Sequence, residues 1–131
     1  MSFLLDTNIC SAHLRRPTRL AHRLDQHSGR LHISTIVMAE LYTWVFGASQ
    51  PSKRQAGLVD FLKDVHILPV NEQVAEKFGQ LNAHLLPMGI CVPPMDLLIA
   101  STALVHDLTV VTHNTADFAK ISDLRIVDWI N

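Results

Sequence analysis

The sequence predicts an α/β protein built on a parallel sheet covered by helices on both faces. Three observations carry that prediction. Short apolar runs such as Phe3-Leu4-Leu5, Leu31 to Ser34 and Thr109 to Thr112 are bounded by turn and cap residues, as strands are. Longer stretches between them carry apolar residues at three- and four-residue spacing, which is helical. The two kinds alternate, and strands separated by helices pair in parallel through crossovers. A length of 131 residues suits a single domain, 1–131, with its own core.

Phe3-Leu4-Leu5 is the first strand and ends on Asp6, while Thr7 and Asn8 suit a helix start. That helix runs from about Thr7 to Arg15 and is interrupted by Pro17. A second spans about Thr18 to His27 and closes at Gly29. After the strand Leu31 to Ser34, either Ser34 or Thr35 can cap a helix from about Thr35 to Phe46. Gly47 to Ser52 is a loop, and Lys53 to Asp64 is helical with Leu58, Phe61 and Leu62 on its apolar side. Val65 to Val70 reads as a strand that Pro69 confines to an edge. Asn71 caps a helix to about Leu86, with Val74, Phe78, Leu81 and Leu85 at helical spacing. Pro87-Met88-Gly89 breaks it, and Ile90-Cys91-Val92 is extended. A helix follows from about Met95 to His106, then the strand Thr109 to Thr112, a turn or short helix from His113 to Phe118, and a last strand, Arg125 to Val127.

Composition excludes several classes. Hydrophobic residues make up 48% and charged residues 18%, which is globular rather than disordered. No apolar run approaches the roughly 18 residues that would span a bilayer. The start lacks a basic segment followed by an apolar one, so no signal peptide is expected. Cys10 and Cys91 lie far apart without metal-type spacing, which favours free thiols and a cytoplasmic protein. A net charge of −1 does not suggest a general polyanion binder. Yet Arg15, Arg16, Arg19, Arg23 and Arg30 account for five of the eleven Lys and Arg residues. They form either a solvated helix face or a rim that contacts phosphates.

Several acids stand where a structural role does not require them. Asp6 follows a strand directly, and ligands of open α/β sheets bind outside the carboxyl ends of strands. Its ordinary reading is an N-cap. Glu40 shares a helix face with Val37, Leu41 and Trp44, where a charge is rare unless paired or coordinated. It could instead reach solvent from the edge of that stripe. Asp96 continues the seam of Ile99, Ala100 and Ala103 to the tip of its helix, although an acid there also profits from the helix dipole. Thr112, Asn114, Thr115 and Asp117 crowd the turn after a strand, where Asn and Asp are ordinary residues. Acids converging without Lys or Arg partners repel one another, and divalent cations relieve this. Carboxylate and water ligands suit Mg²⁺ or Mn²⁺.

Four stretches together resemble PIN-domain ribonucleases, and more narrowly the VapC-type toxins of toxin–antitoxin pairs. They are Leu4-Leu5-Asp6-Thr7-Asn8, Ile33 to Leu41 around Glu40, Pro94 to Ala100 around Asp96, and Val110 to Phe118. The resemblance spans nearly the whole chain, in family order. It implies a PIN-like three-layer fold, with a central five-stranded parallel sheet flanked by helices. It implies a Mg²⁺-dependent endoribonuclease with Asp6, Glu40 and Asp96 as the metal-site acids. Asp117 is then a fourth acidic helper, and Asn114 a direct or indirect ligand. Thr7 and Thr112 match hydroxyl positions that orient the acids, with Asn8 supporting. RNA is the implied substrate, with Arg15, Arg16, Arg19 and Arg23 as phosphate contacts. The implied products carry 5′-phosphate and 3′-hydroxyl ends. An antitoxin partner and a homodimer, to which Tyr42, Trp44 and Phe46 could contribute, are also implied.

Two other classes share parts of this pattern. A catalytically silent PIN-like module would bind RNA or protein only; Asn114 in place of an acid favours it and the trio Asp6, Glu40 and Asp96 opposes it. A receiver-type signalling domain resembles a pair of acids at the first strand and a late Lys. Here the first strand offers one acid, and Lys120 follows no strand directly.

Overall fold

The computed structural model describes residues 1–130. Strand β1 (Phe3–Leu5) is the middle of a five-stranded sheet. On one side lie β2 (Leu31–Ser34) and then β3 (His66–Leu68); on the other lie β4 (Thr109–Val111) and then β5 (Ile126–Val127). Each neighbouring pair runs parallel, with Phe3 opposite both Leu31 and Thr109. The flanking helices are α1 (Thr7–Arg15), α2 (Pro17–Gln26), α3 (Thr35–Phe46), α4 (Pro51–Leu62), α5 (Glu72–Leu85), α6 (Pro94–His106) and α7 (Thr115–Phe118).

Successive strand residues point to opposite faces of a sheet. Phe3, Leu4 and Leu5 are all buried, as are Thr109, Val110 and Val111, so helices cover both faces. The chain steps outward from β1 to β2 and β3, then returns to place β4 on the other flank of β1. This reversal is a topological switch point, and the carboxyl ends of β1 and β4 border it. Leu4, Ile9, Ile33, Val37, Leu41, Ile99, Ala100, Val110 and Phe118 form the fully buried centre of the core.

The elements follow the sequence expectation, with boundary differences that have local causes. Pro17 and Pro51 do not merely interrupt; they occupy the first turns of α2 and α4. A proline there has a preset φ, and its missing N–H has no partner to lose. Pro94 likewise opens α6 ahead of Met95. Ser34, rather than Thr35, caps α3, accepting from Val37 N–H at 3.2 Å. Thr35 Oγ1 instead accepts from Val70 N–H at 3.3 Å, tying the exit of β3 to the start of α3. The strand read over Val65 to Val70 contracts to His66–Leu68 and lies at the edge, where Pro69 withholds no ladder bond. Asn71 caps α5 through Val74 N–H at 3.0 Å. Ile90 to Val92 joins no sheet. Gly29 turns the chain from α2 into β2 at φ +84°, a left-handed conformation that favours glycine. Among the described residues no helix is long and apolar enough to cross a membrane.

The central strand carries most of its stability as buried side-chain volume. Leu4→Ala is expected to lower unfolding free energy by about 3 kcal/mol, seen as a lower denaturant midpoint at unchanged slope. Met88→Ala, on a side chain that is 59% exposed, is expected to change it by less than about 0.5 kcal/mol.

Candidate active site

Asp6 is the first residue beyond the central strand. Its N–H still donates to the Val111 carbonyl at 2.9 Å, so the sheet ladder itself fixes where its side chain begins. The two carboxylate oxygens then divide their work. Oδ1 accepts from Thr7 N–H at 2.8 Å, which caps α1. Oδ2 accepts from the Thr112 hydroxyl at 2.7 Å and from Asn8 Nδ2 at 3.3 Å. Asp6 is only 5% exposed. It is thus both a cap and a member of a cluster.

The cluster extends in two directions. Toward α3, the Thr7 hydroxyl donates to Glu40 Oε1 at 2.6 Å, joining the first turn of α1 to the middle of α3. Glu40 is half-buried beside the fully buried Val37 and Leu41, so the apolar stripe that made it conspicuous delivers it to the site. Toward α6 and α7, Thr112 Oγ1 accepts from Asn114 N–H at 2.9 Å. Asn114 Nδ2 reaches Asp117 at 3.0 Å and, in a longer bond, Asp96 at 3.4 Å. Asn8 completes the frame: its Oδ1 accepts from His113 N–H at 3.1 Å. One hydrogen-bonded chain therefore runs from Glu40 through Thr7, Asp6, Thr112 and Asn114 to Asp96 and Asp117.

Electrostatics register the crowding. Burial raises the Asp96 carboxyl to about 6, and the charges of Asp6, Asp117 and Glu40 push it in the same direction. Asp6 is also raised, first by burial and then by Glu40, against the lowering effect of its bonds from Thr112, Thr7 and Asn8. Asp117 moves the other way, because Asn114 and Lys120 both donate to it. Here the sequence expectation needs correcting. The acids are not without a basic partner: Lys120 Nζ lies 3.0 Å from Asp117 Oδ1 and donates to the Cys91 carbonyl, also at 3.0 Å. Sequence reasoning missed Lys120, although its position three residues after Asp117, at the end of α7, put it within reach.

The four sequence-predicted acids and the supporting residues Thr7, Asn8, Thr112 and Asn114 thus come together. Arg15, Arg16, Arg19 and Arg23 do not join them. They are exposed at the far end of α1 and along α2, with Arg15 eight residues from Thr7, about 12 Å along the helix axis. The donors gathered at the cluster are carboxylate, amide and hydroxyl oxygens, a set that suits a hard divalent cation. Among the described residues no three His, Cys, Asp or Glu side chains are drawn tightly enough to enclose an ion.

The PIN domain family matches residues 3–124. The tRNA(fMet)-specific endonuclease VapC of Shigella flexneri is 31% identical over 98% of both chains. The chain belongs to the PIN-domain family of VapC ribonucleases. Ribonuclease VapC1 of Haemophilus influenzae, 35% identical over 98% of both chains, is a further relative of this VapC-type chain. Among solved structures, VapBC of Salmonella typhimurium bound to DNA superposes with a TM-score of 0.93 at 32% identity, covering 98% of both chains. VapBC2 of Rickettsia felis bound to a promoter DNA fragment gives 0.91 at 30% identity, covering 98% of this chain and 99% of that one. The three-layer PIN fold expected from the sequence is the fold observed.

The raised carboxyls give this PIN domain a distinctive pH response without metal. A carboxyl whose folded pKa is raised retains its proton in the native state where the unfolded chain releases it. Its stabilising effect is therefore present at low pH and lost as pH rises through about 6. Metal-free Asp96→Asn should melt at a higher temperature than the unmodified protein near pH 7, and the gap should close toward about pH 4. Comparing the two proteins cancels contributions that both share. Equal melting temperatures across the range would show that Asp96 is not under this strain.

Proposed function

We propose that this chain is a divalent-cation-dependent endoribonuclease, the toxin of a toxin–antitoxin pair, acting in the cytoplasm as one PIN domain over 1–131. The observation that carries the reading is the convergence of Asp6, Glu40, Asp96 and Asp117 at the switch point, where burial and the neighbouring acids raise the carboxyls of Asp96 and Asp6. Asp6 and Asp96 hold the ion, Mg²⁺ or Mn²⁺, and Glu40 contributes directly or through water. When bound, a cation of this kind lowers the pKa of water and polarises a phosphoryl oxygen.

The protein groups have distinct parts. Thr112 and Asn8 fix the outer oxygen of Asp6, so this carboxylate is oriented before any ion arrives. Thr7 engages one oxygen of Glu40 and leaves the other to orient water. Asn114 bridges Asp96 and Asp117 and keeps the two acids at a set separation. Asp117, with Lys120 against it, is the fourth acid and the one whose charge is best compensated. Water attacks phosphorus in line, the bond from phosphorus to the 3′ oxygen breaks, and the ends are a 5′-phosphate and a 3′-hydroxyl. Single-stranded or loop RNA is the substrate class, because its backbone can bend into the site. A relative bears the name of a tRNA(fMet)-specific endonuclease, which makes that tRNA the first substrate to try.

The antitoxin is a small protein whose Arg would pair with the uncompensated acids. VapBC complexes among the similar structures support such a partner. A homodimer is the proposed assembly. Phe46, 61% exposed and stacked on Tyr42 with ring centroids 5.9 Å apart, offers a face for it.

Purified protein should cleave RNA in Mg²⁺ or Mn²⁺ and stop in EDTA. Asp96→Asn should lower the rate at least about 100-fold, the scale of losing a charge stabiliser of the transition state. RNA binding without turnover in the unmodified protein would instead identify a silent module. Replacing Arg16, Arg19 and Arg23 by Gln should weaken RNA binding and flatten its salt dependence by about 0.7 in the log–log slope for each phosphate left without its cation. An unchanged slope would return those arginines to a merely solvated face.

A further inference from the structure

Helices α1 and α3 leave the same edge of the sheet and run side by side. Thr7 in the first turn of α1 faces Glu40 in the middle of α3, across the 2.6 Å hydrogen bond. Two turns further along α1, and one turn along α3, the same seam reaches Leu14, Arg15 and Trp44. There it opens into a cavity of about 450 Å³ that these three residues line together with Lys53, Arg54 and Gly57 of α4. Thr7, Ser11, Leu14, Glu40 and Trp44 are all half-buried, so each keeps a side toward solvent along the way. The cavity therefore lies further along the same pair of packed helices that carries Thr7 and Glu40.

The chemistry of the cavity is the reverse of that at the acids. Its lining contains three cations and no carboxylate. The Arg54 guanidinium is already oriented: its carbon lies 4.6 Å from the centroid of the Trp44 ring, and Nη1 donates to the Trp44 carbonyl at 2.7 Å. One of its five N–H donors is thereby used, and the others remain for a ligand. Arg15 and Lys53 are exposed beside it. A stacked, oriented guanidinium flanked by two further cations suits a phosphate oxygen fork. Gly57 borders open space, since a Cβ added there would have no atom within 4 Å.

We propose that this cavity is a phosphate subsite of the RNA path, holding the strand by a backbone phosphate two to three nucleotides from the bond cleaved at the acids. Two turns of α1 measure about 11 Å, a separation on the scale of a few nucleotides of backbone. The subsite rests on the reading of the chain as a ribonuclease and names where its substrate is gripped. It reads no base sequence, because phosphate contacts position a strand without specifying it. Trp44 serves here as the platform for Arg54 rather than as part of a dimer face.

The test uses the full chain carrying Asp96→Asn, so that RNA binds without being cut, and a fluorescent single-stranded RNA titrated at several salt concentrations. Gly57→Glu places a carboxylate among the three cations without a steric conflict, and Gly57→Gln adds the same bulk without charge. Gly57→Glu should bind RNA more weakly than Gly57→Gln, by about fourfold at ~0.15 M salt for each phosphate no longer neutralised, with the salt slope smaller by about 0.7 for each such phosphate. Lys53→Gln should shift in the same direction, while Lys77→Gln, on α5 outside this cavity, should not. Equal affinities and slopes for the two Gly57 variants overturn the subsite. So does a loss confined to antitoxin binding, which would assign the cavity to the protein partner. Failure of the ribonuclease reading is seen separately, as absence of RNA cleavage by the unmodified protein in Mg²⁺ and Mn²⁺.

Discussion

The hydrogen bond from the Thr112 hydroxyl to Asp6 is the interaction on which the site depends. It crosses the switch point and joins the ends of β1 and β4, residues that are 106 apart in the chain. Thr112 itself is fully buried, and its N–H donates to the Val127 carbonyl at 2.9 Å. The hydroxyl has no freedom to wander. It donates to Asp6 and accepts from Asn114 N–H, so one oxygen sets both the first acid and the turn that carries Asn114 and Asp117. The parallel pairing of β1 and β4 is what brings it there, and that pairing rests on the buried Leu4, Leu5, Val110 and Val111.

This frame holds together charges that oppose one another. Asp6 is almost wholly buried with three donors around it, yet burial still raises its carboxyl. Asp96 accepts a long bond from Asn114, and burial and three acidic neighbours raise its carboxyl. A cationic group entering this cluster would relieve that opposition. Lys120 relieves only the outer acid, and it does so while pinning the Cys91 carbonyl just ahead of α6. It thereby steadies the segment that leads into Asp96.

The site acids lie where α1, α3 and α6 begin or pass the sheet edge and in α7, whereas Arg15, Arg16, Arg19 and Arg23 lie at the end of α1 and along α2, where Asp25 accompanies them.

Much of the fold was legible because its signals are local. Apolar runs, helical spacing and the cap at Asn71 are decided within a few residues, and α1, β2 and α3 begin and end where the sequence puts them, although the choice of Ser34 over Thr35 as cap was left to the structure. Pro17 and Pro51 were harder, since a proline breaks a helix or begins one according to what precedes it. The acids were legible as misfits: Glu40 on an apolar stripe and Asp96 at the tip of a buried seam. What the sequence by itself determined, then, was the set of elements, the family and the acids that do not belong in a core. Only the tertiary structure decided how those acids are joined. The links from Thr112 to Asp6, Thr7 to Glu40 and Asn114 to Asp96 span 106, 33 and 18 residues and leave no periodic trace. Lys120 against Asp117, and Arg54 against Trp44, are likewise choices of rotamer and packing. The physical reason is that propensity and patterning act over one or two turns, whereas side-chain hydrogen bonds between elements exist only once the sheet order has brought their strands together.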